Sequence, residues 1–142
     1  MIPYYFVFDV ESVGLHGEGF AFGYVVVTPD GTEVDSWYSA CLPNDAIGEL
    51  SDRAWVKENC PPLVVDCITP GQVRAVFWTK WLRWREKGAI MVADCAWPVE
   101  ARFLAACVDS DPEGRRWLGP YPLHDVATAR LAAGLDPLAT VA

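Results

Sequence analysis

Asp9 and Glu11 stand two residues apart in "FVFDVESVGL", where an apolar run comes to its end. On a strand, residues two apart share a face. The two carboxylates then converge. Like charges that close raise the pKa of one partner unless a cation lies between them. Hard divalent ions such as Mg2+ or Mn2+ choose oxygen-rich sites of this kind. The same spacing also arises where a strand frays into a solvated loop and both acids are exposed. Spacing alone does not separate the two readings.

Two further acidic spots lie downstream. In "VADCAWPVEARFL", Asp94 ends a short apolar segment and Glu100 falls in the first turn of a helix opened by Pro98. An acid at that turn also serves the helix dipole, and Asp94 reads equally well as a cap. In "LHDVATA", Asp125 closes a strand and can cap the helix that follows. His124 beside it is a candidate general base, or a packed structural histidine. His16, in the loop after the first acid pair, is a candidate substrate contact or a solvated loop residue.

Trp78, Trp97 and Trp117 are the tryptophans that the apolar pattern does not place on a core face. Trp97 precedes Pro98, near the acids. Aromatic residues at this density mostly build core. Lys80, Arg83, Arg85 and Lys87 form one basic concentration, and Arg115 with Arg116 another. Either can meet phosphates, or be a solvated helix face and an exposed loop.

The elements that must position these groups follow from pattern. "YYFVFDV", residues 4–10, is aromatic and β-branched and reads as a strand. Two more strands flank the turn Pro29-Asp30-Gly31. Val25, Val26 and Val27 run unbroken into that turn, which predicts a strand buried on both faces. Residues 43–69 are irregular, with a short helix around Asp52–Asn59 stopped by Pro61-Pro62. Thr69 caps a helix that begins at Pro70 and ends at Gly88. Val73, Val76, Phe77, Trp81 and Trp84 recur at helical steps and give it one apolar face. Residues 89–94 are a short buried strand, and a helix runs from Pro98 to near Asp109. "DSDPEGRRWLGP" is a loop. Residues 121–125 are a last strand, and "VATARLAAGL" a last helix ended by Gly134 and Pro137. The order β-β-β-α-β-α-β-α predicts one α/β domain over residues 1–142, with a mixed sheet.

The chain has 142 residues, 52% hydrophobic and 21% charged, which is a globular composition. Its net charge of −8 argues against coating nucleic acid by bulk electrostatics. Acids that hold metal ions remain compatible with it, because the ions neutralise them locally. Five cysteines without C-x-x-C spacing predict free, mostly buried thiols instead of a disulfide framework or a zinc site. No run is long enough to span a bilayer, and Asp9 interrupts any leader-like pattern, so the expected location is the cytoplasm.

Taken together, these segments resemble the DEDD-type 3′–5′ exonucleases of the ribonuclease H-like superfamily. "FVFDVESVGL" looks like that family's first motif, an apolar strand followed by Asp-x-Glu and then Gly-Leu. "GEGFAFGYVVV" looks like its second strand, with small and apolar residues behind the metal site. "VADCAWPVEARFL" resembles the second motif. On that register Glu100 takes the place of the usual Asp, and Asp94 precedes it at the strand end, so either is the second-motif ligand. "YPLHDVATARLAAGLDP" resembles the segment that follows. The likeness covers most of the chain.

The resemblance implies a ribonuclease H-like α/β fold, a three-strand antiparallel meander followed by α-β-α-β-α. It implies two Mg2+ or Mn2+ ions, with Asp9 bridging them and Glu11 and Glu100 completing their shells. Asp94 and Asp125 are further metal candidates. Water then attacks the terminal phosphodiester of a single-stranded DNA or RNA 3′ end, with His124 the one candidate base. Trp97, His16, Arg115 and Arg116 are the candidate nucleic-acid contacts. The family closes its site with a C-terminal helix bearing His-x4-Asp or Tyr-x3-Asp. After Asp125 this sequence has only Asp136 and no histidine. The pattern therefore allows a second expectation, an inactive or truncated ribonuclease H-like domain that binds a nucleic acid or a protein. A sheet edge left open by a missing last helix allows a homodimer. A third expectation is an unrelated α/β protein whose acids are caps and turns; it requires Asp9, Glu11 and Glu100 to lie apart.

Overall fold

In a computed structural model of the chain, residues 2–139 are described. Strand β1 (Tyr5–Ser12), β2 (Gly19–Val27) and β3 (Glu33–Ala40) form the antiparallel meander. Helices α1 (Leu50–Asn59) and α2 (Pro70–Glu86) lead to β4 (Ile90–Ala93), which pairs parallel with β1. Helix α3 (Val99–Ser110) and the single turn α4 (Pro112–Arg115) lead to β5 (His124–Asp125), parallel to β4, and then to α5 (Val126–Ala132). The sheet order is β3-β2-β1-β4-β5. The mixed five-stranded α/β fold is the one expected.

Local chemistry sets the boundaries. In the β2–β3 turn, the Thr28 N–H donates to the Thr32 carbonyl, the Gly31 N–H donates to the Thr28 carbonyl, and Gly31 adopts φ +87°. Glycine takes that left-handed conformation without a Cβ clash. Thr69 caps α2 by accepting from the Gln72 N–H, and Pro70 occupies the first turn. Proline's fixed φ and missing donor suit that end of a helix.

One face of the sheet carries the core. Phe6, Phe8 and Val10 of β1 alternate inward, against Phe22, Tyr24 and Val26 of β2. Helices α2 and α3 cover this face. Phe77 meets Phe6 at 5.8 Å, Phe22 at 5.2 Å and Phe103 of α3 at 5.1 Å between ring centroids. Truncating a fully buried phenylalanine of this kind costs about 3–5 kcal/mol.

The other face is largely open, which corrects the reading of Val25–Val27. Val26 is fully buried but Val25 is 38% exposed. An unbroken valine run signals strand propensity without fixing what lies on each side. Four other boundaries differ from expectation. β1 continues through Asp9 and Glu11 instead of ending at residue 10. The strand expected over 121–125 shrinks to His124–Asp125. Asp111 caps a helical turn inside the segment expected to be a loop. α5 ends at Ala132, because Gly134 takes φ +74°. Trp78 is buried, on the core side of α2. Cys41, Cys67 and Cys107 are buried free thiols, whereas Cys95 is exposed. Among the described residues no helix is long and apolar enough to cross a membrane.

Candidate active site

The register of β1 settles how its acids face. Asp9 pairs with Gly23 and Glu11 with Ala21, and both acids lie on the open face, opposite Phe8 and Val10. Small partners on β2 leave the floor beside each carboxylate low. Asp9, Glu11 and Asp94 line one groove with Val7, Gly23 and Tyr38. Leu63 and Val64, from the segment between α1 and α2, form its far wall. Its volume is about 1120 Å3.

Glu100 arrives from behind. It sits in the first turn of α3, is 4% exposed, and its Oε2 accepts the Val10 N–H at 3.0 Å. Val10 lies between Asp9 and Glu11, so this bond anchors Glu100 at the acid pair. Burial pushes the Glu100 carboxyl up to about 7 against the Val10 hydrogen bond, with the Asp9 and Glu11 charges adding to the rise. Burial also raises Asp9, with Asp94 contributing, and raises Glu11, with Asp9 contributing. The four carboxylates are therefore near enough to act on one another. An array of caps and turns scattered over the surface would not behave so.

All the donors here are carboxylate oxygens, which is the chemistry of a hard divalent cation site. The mutual repulsion is what such a cation relieves. Among the described residues, no three His, Cys, Asp or Glu side chains already stand in a metal-holding cluster. The donor set fits by composition and proximity, with its coordinating geometry not preformed.

Asp125 has a different task from the metal ligand expected of it. Its Oδ1 accepts from Cys95 at 3.1 Å and Ala127 at 2.8 Å, and its Oδ2 from Ala96 at 2.9 Å. These bonds hold its carboxyl below the usual range despite burial. Asp125 clips the β4–α3 turn to the start of α5. Within that turn Cys95 adopts φ +49°, an uncommon conformation for a residue other than glycine. The clip fixes the turn that carries Asp94 on one side and Trp97 on the other. Trp97 is 75% exposed.

His124 pairs with Val92, and Val92 with Val7, so the register puts His124 on the same open face as Asp9. Two strand spacings separate β5 from β1, roughly 10 Å. His124 thus stands two strands from Asp9 on the same face. His16 lies at the second cavity, with Arg74, Arg102 and Phe103, away from the carboxylate groove. Arg115 and Arg116 lie at the end of α4 and just after it, beyond the C-terminal end of α3, whereas Glu100 lies in the first turn of α3. Arg115 stacks over Trp78 and donates to the Cys107 carbonyl at 2.8 Å. Arg116 lies over Trp117. Neither lines the carboxylate groove. The arginine doublet showed charge in the sequence but not that a helix carries it away.

The groove wall of Tyr38, Leu63 and Val64 was not foreseen. Residues 60–68 have no periodic pattern, and their docking depends on Asp66. Its carboxylate accepts from Ser39 Oγ at 2.8 Å and from the Ala40 N–H at 2.8 Å. An acid followed by small residues gives no sign of such a distant partner.

No family model matches the sequence, and no curated protein matches it. Similar folds occur among solved structures. The chain superposes on an ExoI/SSB-Ct complex with a TM-score of 0.60 at 12% identity, covering 99% of this chain and 32% of that one. It also matches a moderately thermophilic exonuclease I from Methylocaldum szegediense, with a TM-score of 0.49 at 14% identity, covering 75% of this chain and 23% of that one. The first likeness is one of fold: this chain has the fold of an exonuclease domain, consistent with a ribonuclease H-like sheet. It spans about a third of the length of that structure.

Proposed function

We propose that this chain is a metal-dependent 3′–5′ exonuclease domain of the DEDD type, acting on single-stranded nucleic acid. The observation that supports the reading is that buried Glu100 accepts the N–H of Val10, the residue between Asp9 and Glu11, while Asp9 and Glu11 line one open groove. The exonuclease-like fold supports it.

Asp9 and Glu11 would hold Mg2+ or Mn2+ with Glu100, and Asp94 stands at the same groove. When bound, such ions supply Lewis acidity to a phosphate and lower the pKa of a bound water. The chain's own residues do the rest. Glu100 is kept in place by the Val10 N–H. Asp125 fixes the turn bearing Asp94. Leu63, Val64 and Tyr38 give one side of the groove an apolar lining. Trp97 offers an exposed ring for base stacking.

The test is digestion of a single strand carrying a 3′ label. Release of 3′ nucleotides should need Mn2+ or Mg2+, stop with chelator, and fall at least a hundredfold in Asp9→Ala. Digestion that ignores that substitution would mark a contaminant and sink the reading.

One observation favours a second reading, a groove that binds without cutting. Asp136 accepts the Leu138 N–H in a local turn. His124 stands two strands from Asp9. Strand binding with no divalent-dependent product release would favour this alternative.

A further inference from the structure

The carboxylate groove has a neighbour. A cavity of about 560 Å3 lies between α1 and the segment that follows it, and Leu63 lines both spaces. Cys60 lines the second space too, and the charge of Glu11 reaches its thiol. The two spaces therefore adjoin at Leu63, which is a wall of both.

Their charges differ. The groove holds Asp9, Glu11, Asp66 and Asp94. The neighbouring cavity is lined by Arg53 and Lys57 and by no carboxylate, in a chain of net charge −8. Arg53 and Lys57 are four apart on α1 and so share a face. Arg53 Nη2 donates to the Ala46 carbonyl at 2.9 Å, while its Nε is buried without a partner. Among the described residues the ion pair within 4 Å is that of Arg74 with Glu18, so neither cation is neutralised. Asp52 lines the cavity of Arg74, and the charge of Asp45 reaches Cys41, on the opposite wall from α1. Two unpaired cations one turn apart repel each other, and an anion between them is favourable.

We infer that Arg53 and Lys57 hold backbone phosphates of the single strand upstream of its 3′ end, the strand passing over Leu63 from the carboxylate groove onto α1. This rests on the exonuclease reading. Apolar Leu42, Leu50 and Pro62 along the cavity give sugars and bases a dry surface. The path supplies the positive charge that the acidic groove lacks.

The probe is fluorescent oligothymidylate of about 4 and about 16 nucleotides, the range over which single-strand sites differ. Binding is measured with Ca2+ over a series of salt concentrations. For Lys57→Gln, the slope of log affinity against log salt should shrink by about 0.7, and for Arg53→Gln/Lys57→Gln by about 1.4. The preference for the longer strand should shrink about tenfold in the double variant. Lys57 is exposed, so its single variant still reports if the Arg53 change disturbs α1. Unchanged slopes and preference, with Asp9-dependent cleavage intact, would overturn this path and leave the exonuclease reading standing. Absence of Asp9-dependent cleavage in the unmodified chain would overturn that reading and this one with it.

Discussion

The Glu100 carboxylate accepts a hydrogen bond from the Val10 N–H at 3.0 Å across ninety residues of sequence. That bond ties the first turn of α3 to the strand carrying Asp9 and Glu11. It makes a buried acid part of the same cluster as two acids on the open face. A helix-dipole role needs no such tie, since the dipole acts on any acid in the first turn.

The tie separates two substitutions at one position. Glu100→Gln keeps an oxygen for the Val10 N–H, and its thermal midpoint should stay close to that of the parent. Glu100→Ala leaves a buried N–H unpaired, which costs about 1–3 kcal/mol. If Glu100 is a cation ligand, Mn2+ should raise the melting temperature of the parent, as any ligand of the folded state does. Both variants should lose most of that rise. Calorimetric melts with and without Mn2+ read both effects, and a Gln variant that keeps the full rise would remove Glu100 from the ligand set.

Asp125 should behave in the opposite way. Its three backbone acceptor bonds include the cap of α5. Loss of a cap costs about 1 kcal/mol, and each further bond to a charged acceptor adds to that. Asp125→Ala should therefore lose about 2–4 kcal/mol in urea unfolding. The melting rise given by saturating Mn2+ should be retained. A variant of parental stability that no longer responds to Mn2+ would restore Asp125 as a ligand.

These two acids also show what a sequence can carry. Asp9 and Glu11 were legible because strand period and spacing are both local. Glu100 was legible only as an acid after a helix start, and the resemblance gave it a partner. Asp125 was legible as a cap of the last helix, but its bonds to Cys95 and Ala96 were not, because they join segments thirty residues apart. The meander, α2 and β4 followed from turn residues, caps and periodicity. The open face did not, because whether a valine-rich strand is covered depends on elements elsewhere. Arg53 and Lys57 passed unnoticed for a similar reason. Their importance comes from the acids absent around them, which only packing reveals.

Acid titration should expose another tie. The Tyr24 hydroxyl and the Trp84 Nε1 both donate to Asp35 Oδ2, each at 2.7 Å. Burial works to raise the Asp35 carboxyl, but these two bonds and the Arg83 charge hold it below the ordinary 3.8. Its folded pKa is depressed, so the unfolded chain binds more protons as the pH falls below the ordinary value. The stabilisation is fully present above about pH 4 and is lost as the pH drops through the folded pKa. Asp35→Asn should cost about 1–2 kcal/mol at pH 7, allowing for the partial exposure of the site. The gap between variant and parent should close in acid. A gap constant from neutral to strongly acid pH in urea melts would show that Asp35 adds no charge-dependent stability.

Trp97 tests the substrate side without touching the fold. Its ring is 75% exposed, so Trp97→Ala removes little buried surface, and its melting temperature should match the parent. Stacking of a base on an aromatic ring contributes about 1–3 kcal/mol. If Trp97 stacks a base of the bound strand, the alanine variant should raise KM for a single strand about tenfold or more. Trp97→Phe should recover most of the loss, because any aromatic face serves. Recovery by phenylalanine distinguishes stacking from a merely steric role, which leucine would fill as well. Unchanged KM in the alanine variant would leave Trp97 as a solvent-exposed turn residue. The strand would then have to find its aromatic support elsewhere on the open face, where Tyr38 lines the same groove as Asp9 and is 53% exposed.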